Sequence, residues 1–151
     1  MVSPDQRFLC NGQVTEWRYQ AKASYGFRAI VWRPVDKSAT KFRIVGINNI
    51  PAGAVNTPVT YSVPADQRIR VQIGDVIGWS FGAGVLTYNG GGGDRVRWLG
   101  GNLHGSLKAN QERDINTGVQ DREYSIAATV GEAGESLLCL KHKVVFLCSF
   151  S

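Results

Sequence analysis

Apolar residues along this chain recur at every second position in short runs, and nowhere before residue 130 do they recur at helical spacing over three turns. The pattern is clearest in residues 67–84, QRIRVQIGDVIGWSFGAG. Ile69, Val71 and Ile73 fall on one side and Arg68, Arg70 and Gln72 on the other, the period of a strand buried on one face. Gly74 and Asp75 break the run and VIGWSF resumes it, so the spacing predicts two strands joined at a tight corner. The same reasoning predicts strands over residues 14–19, 27–33, 41–47, 59–63, 85–88, 95–99 and 123–130, with Gly, Pro or Asn signals between most of them. Residues 48–58 and 100–120 read as long connections, the second with a short strand near residues 106–109. Residues 89–94, NGGGGD, read as a flexible hairpin tip.

Eight or nine strands without a core helix predict an all-β fold, an antiparallel two-layer sandwich of jelly-roll-like form, with a closed barrel as the alternative. Residues 1–11 read as a polar lead-in, residues 12–130 as the sandwich, and residues 131–151 as an atypical tail. The tail's LLCLKHKVVFLCSF is apolar, but it is too short and too interrupted by charge to span a bilayer. It reads as an extra strand pair, an interaction segment or sequence beyond the natural end of the domain, the last being favoured. At 151 residues the chain suffices for one domain with a core of its own.

Charge and cysteine content narrow the classes of function. Seventeen Lys and Arg against twelve Asp and Glu give a net charge of +5, which favours anionic partners such as sulfated glycans or acidic lipid; nucleic acid is not the expected partner. Cys10, Cys139 and Cys148 lie at the two ends of the chain, a poor basis for a disulfide framework. Together with His142 they lack the spacing of a zinc knuckle, and the dispersed Asp75, Asp94, Asp114 and Asp121 give no calcium motif, so neither metal nor cofactor is expected. No apolar leader opens the sequence and no Asn-x-Ser/Thr sequon occurs, which leaves the compartment unassigned.

Three constellations carry candidate chemistry. Gly78-Trp79-Ser80-Phe81-Gly82 matches G-x-S-x-G, and Asp94 and His104 follow in the order used by hydrolases with that elbow. The elbow needs a helix packed behind the serine, however, and here another strand-like run follows, so alternating sandwich residues are the plainer reading. Arg68 with Arg70 and Arg95 with Arg97 are pairs two residues apart, each on one face of its strand. On neighbouring strands they would gather four guanidiniums suited to sulfate or phosphate; the plainer reading is a solvated sheet face. Trp17, Trp32, Trp79 and Trp98 fall within predicted strands and read mostly as core, whereas Tyr88 near Asn89, Asn102 and His104 would make a platform on which a sugar ring stacks.

The runs VTEWRYQ, FRAIVWRPVD, FRIVGINNIPAG, QRIRVQIGDVIGWSFGAG and REYSIAATV together resemble a β-sandwich module found, often repeated, in secreted or cell-surface proteins of invertebrate animals, over about residues 12–130. That resemblance implies an extracellular role in adhesion or recognition and carries no known ligand residues with it. The expected function is therefore binding rather than catalysis. The expected ligand is carbohydrate, acidic glycans favoured, held by residues 82–94 and 100–118 with Arg68, Arg70, Arg95, Arg97, Tyr88, Asn89, Asp94, Asn102 and His104 as contacts. A structural or self-association module of a larger extracellular protein is the competing class, and a serine hydrolase comes third.

Overall fold

A computed structural model describes residues 1–35, 40–101 and 103–131, the side chains of residues 92–94 excepted. Eleven strands are present among them: β1 (Val2–Arg7), β2 (Gly12–Gln20), β3 (Phe27–Pro34), β4 (Lys41–Ile50), β5 (Pro58–Ser62), β6 (Arg70–Val71), β7 (Val76–Ser80), β8 (Tyr88–Trp98), β9 (Glu112–Asp114), β10 (Gly118–Tyr124) and β11 (Ile126–Gly131). The described residues contain a single 3-10 turn at Ala65–Gln67 and no α-helix. One sheet runs β10-β8-β1-β7-β3-β4-β9; the other runs β11-β2-β5, with β6 also on β2. All the strand pairs are antiparallel and neither sheet closes on itself, so the fold is all-β and not a barrel.

The two sheets share one core. Trp17 and Tyr19 of β2 and Ile126 and Ala128 of β11 meet Phe27, Ala29 and Val31 of β3 and Ile77 and Trp79 of β7. A second apolar cluster lies on the opposite face of the large sheet. There Val2, Ile30, Trp32, Ile44 and Val76 are covered by Leu107 and Ile115 from the segment between β8 and β10, with Leu99 and Leu103 alongside. Burial of both faces explains why β3 reads as a nearly continuous apolar run rather than a clean alternation.

Several sequence expectations need correction. Residues 1–11 are no lead-in: β1 lies between β7 and β8 in the large sheet, with Val2 and Phe8 fully buried. Its polar composition hid it, because Ser3 and Gln6 are buried in the strand too. Alternation after residue 67 yields only the two-residue β6. Ile69 and Val71 point inward as expected, but Ile73 sits in the turn at Gly74 (φ +91°) and is exposed. The glycine run in residues 89–94 is no free tip; it lies within the eleven-residue β8, and a register shift opposite Asp121 and Arg122 absorbs the extra residues. β4 continues through Ile50 into the expected connection. The short strand predicted near residues 106–109 forms instead as β9, on β4. The single strand predicted over residues 123–130 is two, β10 and β11, which belong to different sheets. Of the tail, residues 132–151 lie outside the described residues, and with them Cys139, His142 and Cys148.

Candidate functional site

Ser80 closes β7, and its register partner on β3 is Arg28, so both side chains rise from the outer face of the large sheet. The segment that follows β8 crosses this face. Apolar burial of Leu107 and Ile115 holds it down, and the Arg28 guanidinium ties it further by donating from Nη1 to the His104 carbonyl and from Nη2 to the Leu107 carbonyl at 2.7 Å. Burial lowers the pKa of Arg28 from its ordinary value, the expected cost of drawing a guanidinium under a loop. Ser106 completes the turn: its N–H and its hydroxyl both donate to the Leu103 carbonyl, at 3.0 and 3.1 Å.

Beneath this segment lies a pocket of about 470 Å³. Ser80 and His104 supply its polar side chains, and Oγ of Ser80 lies 3.1 Å from Nδ1 of His104. Trp98, Phe81, Leu99 and Leu103, all half-buried, give it an apolar wall, with Trp32 and Trp79 deeper in. The described residues lining it include no Asp, Glu, Lys or Arg. Two glycines let the indoles sit where they do. A β-carbon on Gly118 would lie 2.3 Å from Nε1 of Trp98, and one on Gly78 would lie 2.4 Å from Nε1 of Trp32. Each tryptophan therefore covers a bare stretch of backbone on the sheet.

The expected site residues separate in space. Arg68 precedes β6, and Arg70 lies on it, in the small sheet; Arg95 and Arg97 lie on β8 in the large one. The four guanidiniums do not share a face, because strand pairing, which an i, i+2 pattern cannot specify, puts β6 on β2 and β8 between β1 and β10. Tyr88 is no open platform: the Arg122 guanidinium lies 4.3 Å and the Lys22 ammonium 5.0 Å from its ring centroid, and Tyr124 packs against it at 5.2 Å. Asn89 is exposed on β8 opposite Glu123, and neither Tyr88 nor Asn89 lines the pocket. Asp94 is on β8 with its side chain outside the described residues, and Asn102 is outside them altogether.

Among the described residues His104 is the one expected contact that lines the pocket, joined there by Ser80. The wall residues Trp98, Leu99 and Leu103 were missed as site residues. Their signal was present in the recurrence of Leu99, Leu103, Leu107 and Ile115 through a stretch otherwise rich in Gly and Asn, which marks a connection anchored to an apolar face.

No family model, curated protein or solved structure matches the chain.

The site's chemistry thus rests on its own geometry. A hydroxyl and an imidazole side by side offer donors and acceptors to a polar ligand, and the half-buried aromatic residues offer a face for stacking. Among the described residues no three His, Cys, Asp or Glu gather to hold a metal ion, and no helix is long and apolar enough to cross a membrane.

Proposed function

We propose that this open sandwich, jelly-roll-like in its division into two sheets, is a binding module that takes a neutral carbohydrate in the pocket between the large sheet and residues 98–107. The observation that carries the reading is the Ser80–His104 pair set beside half-buried Trp98 in a pocket whose described lining has no formally charged side chain. A pyranose offers an apolar face to an indole and hydroxyls to hydrogen-bonding groups. Among the described residues of the lining a sulfated or carboxylated sugar would find no Arg or Lys side chain, and the dispersal of the arginines weakens the case for acidic glycans.

A glycan array with the full chain, followed by titration calorimetry on any hit, tests this. Ser80→Ala and His104→Ala are each expected to weaken binding about tenfold, in line with the loss of one hydrogen bond. Arg68→Ala/Arg70→Ala leaves it unchanged. Silence across the array removes the reading and favours a structural or self-association module, whose sandwich needs no pocket.

A second reading, acyl transfer, is favoured by one observation, the 3.1 Å contact of the Ser80 hydroxyl with an imidazole nitrogen. Against it, Ser80 ends an ordinary extended strand rather than a strained elbow, and no carboxylate partner of His104 occurs in the described structure. The expected result is no labelling of Ser80 by a fluorophosphonate probe; labelling that His104→Ala abolishes would establish the catalytic reading instead.

A further inference from the structure

The two most exposed large apolar side chains among the described residues are Leu9 and Ile73, each 65% accessible, and they lie on one tip of the sandwich. The tip is built from the β1–β2 and β6–β7 connections, whose backbones are stitched together. Phe8 N–H donates to the Asp75 carbonyl at 2.8 Å, Gly74 N–H to the Phe8 carbonyl at 2.9 Å, and Ile73 N–H to Oδ1 of Asn11 at 3.0 Å. Arg7 and Arg70 flank the apolar pair and are both exposed. Within residues 7–11 and 70–75 the sole carboxylate is Asp75, which is buried and held by both forks of the Arg33 guanidinium, at 2.7 and 2.9 Å. The tip therefore offers two aliphatic side chains on a rigid base with two exposed guanidiniums beside them.

We propose that this tip docks the protein on an anionic lipid surface, Leu9 and Ile73 entering the headgroup boundary and Arg7 and Arg70 meeting acidic headgroups. Aliphatic side chains have nothing with which to hydrogen-bond a sugar, so the tip is not a second glycan site. A symmetric contact with a second copy would bring like guanidiniums together, which disfavours self-pairing. A lipid surface answers both features: apolar insertion gains from dehydration, and each cation near an acidic leaflet adds attraction. Because the two connections are already pinned, little conformational freedom is lost on docking.

Flotation of the full chain with vesicles, of phosphatidylcholine alone and of about three parts phosphatidylcholine to one of phosphatidylserine, is the test. Binding to the mixed vesicles is expected, weakening as salt rises through about 0.15 M. Leu9→Ser/Ile73→Ser is expected to reduce it at least about tenfold, and Arg7→Gln/Arg70→Gln to remove the preference for phosphatidylserine. The single variants Leu9→Ser and Ile73→Ser, each checked by circular dichroism, separate docking from folding. No flotation of the wild-type chain, or binding that the aliphatic variants leave unchanged, overturns the proposal. So does a concentration-dependent dimer, seen by sedimentation, that the aliphatic double variant abolishes while vesicles remain unbound. Pocket variants such as His104→Ala leave flotation unaffected, which keeps this result separate from the glycan one.

Discussion

Trp17→Ala lowers the stability of the fold by about 3–5 kcal/mol, measured as the loss in unfolding free energy from urea denaturation. Trp17 stands on β2 between Tyr61 of β5 and Ala128 of β11, fully buried, and its ring reaches across the sandwich. Its indole N–H donates to Oδ1 of Asn48 on β4 at 2.8 Å, and Nδ2 of Asn48 donates to the Gln67 carbonyl at 2.8 Å. One side chain therefore fills the core and also links the small sheet, the large sheet and the segment leading into β6. Truncation leaves a cavity too large to collapse and strips Asn48, itself buried, of a donor. Trp17→Phe keeps most of the volume and isolates the second effect, expected at about 1–3 kcal/mol. A loss below about 1 kcal/mol for the alanine variant would show that the two sheets do not depend on this residue for their contact.

Arg33→Ala is expected to cost about 3 kcal/mol at neutral pH by the same measurement. Its guanidinium holds the buried Asp75 carboxylate in a two-point contact, and that carboxylate also accepts the Gln72 N–H at 2.9 Å. The hydrogen bond to Asp75 raises the Arg33 pKa above its ordinary value, so the guanidinium keeps its charge. Removing arginine leaves an uncompensated charge in a dry site. The Arg33 side chain is itself 35% exposed, which places the cost at the lower end of the range for broken buried pairs. Arg33→Lys restores charge without the planar fork and is expected to recover part of the loss. Full stability of the alanine variant would mean that the carboxylate reaches water once its partner is gone.

Sequence legibility followed the local physics. Where strands bury apolar side chains at short range, as in β3, β7 and β11, alternation or a continuous apolar run revealed them. β1 was not legible, because Pro4, Asp5 and Gln6 dilute its pattern even though it is central to the large sheet. β8 was read as two strands and a loop because glycine usually marks a break, whereas here a register shift keeps the run within the strand. The arginine face failed at a different level: an i, i+2 pattern speaks for one strand at a time, but sheet membership is decided by long-range pairing. Ser80 and His104 are twenty-four positions apart and meet because Leu107, Ile115 and Arg28 bind the segment that carries His104 to the outer face, a combination visible only once the sheet exists.

The place of β1 in the sheet also governs how the chain can assemble. Val2 pairs with Gly78 on one side and Arg97 on the other, so neither edge of β1 is satisfied until distant parts of the chain have been ordered. Closing such large loops before any contact is made is slow, and folding of this domain is expected to run on the milliseconds-to-seconds scale of β-rich topologies. During that interval the slot between β7 and β8 accepts any copy of β1. Refolding at high concentration therefore favours exchange of this strand between molecules, and dilute refolding favours the monomeric register.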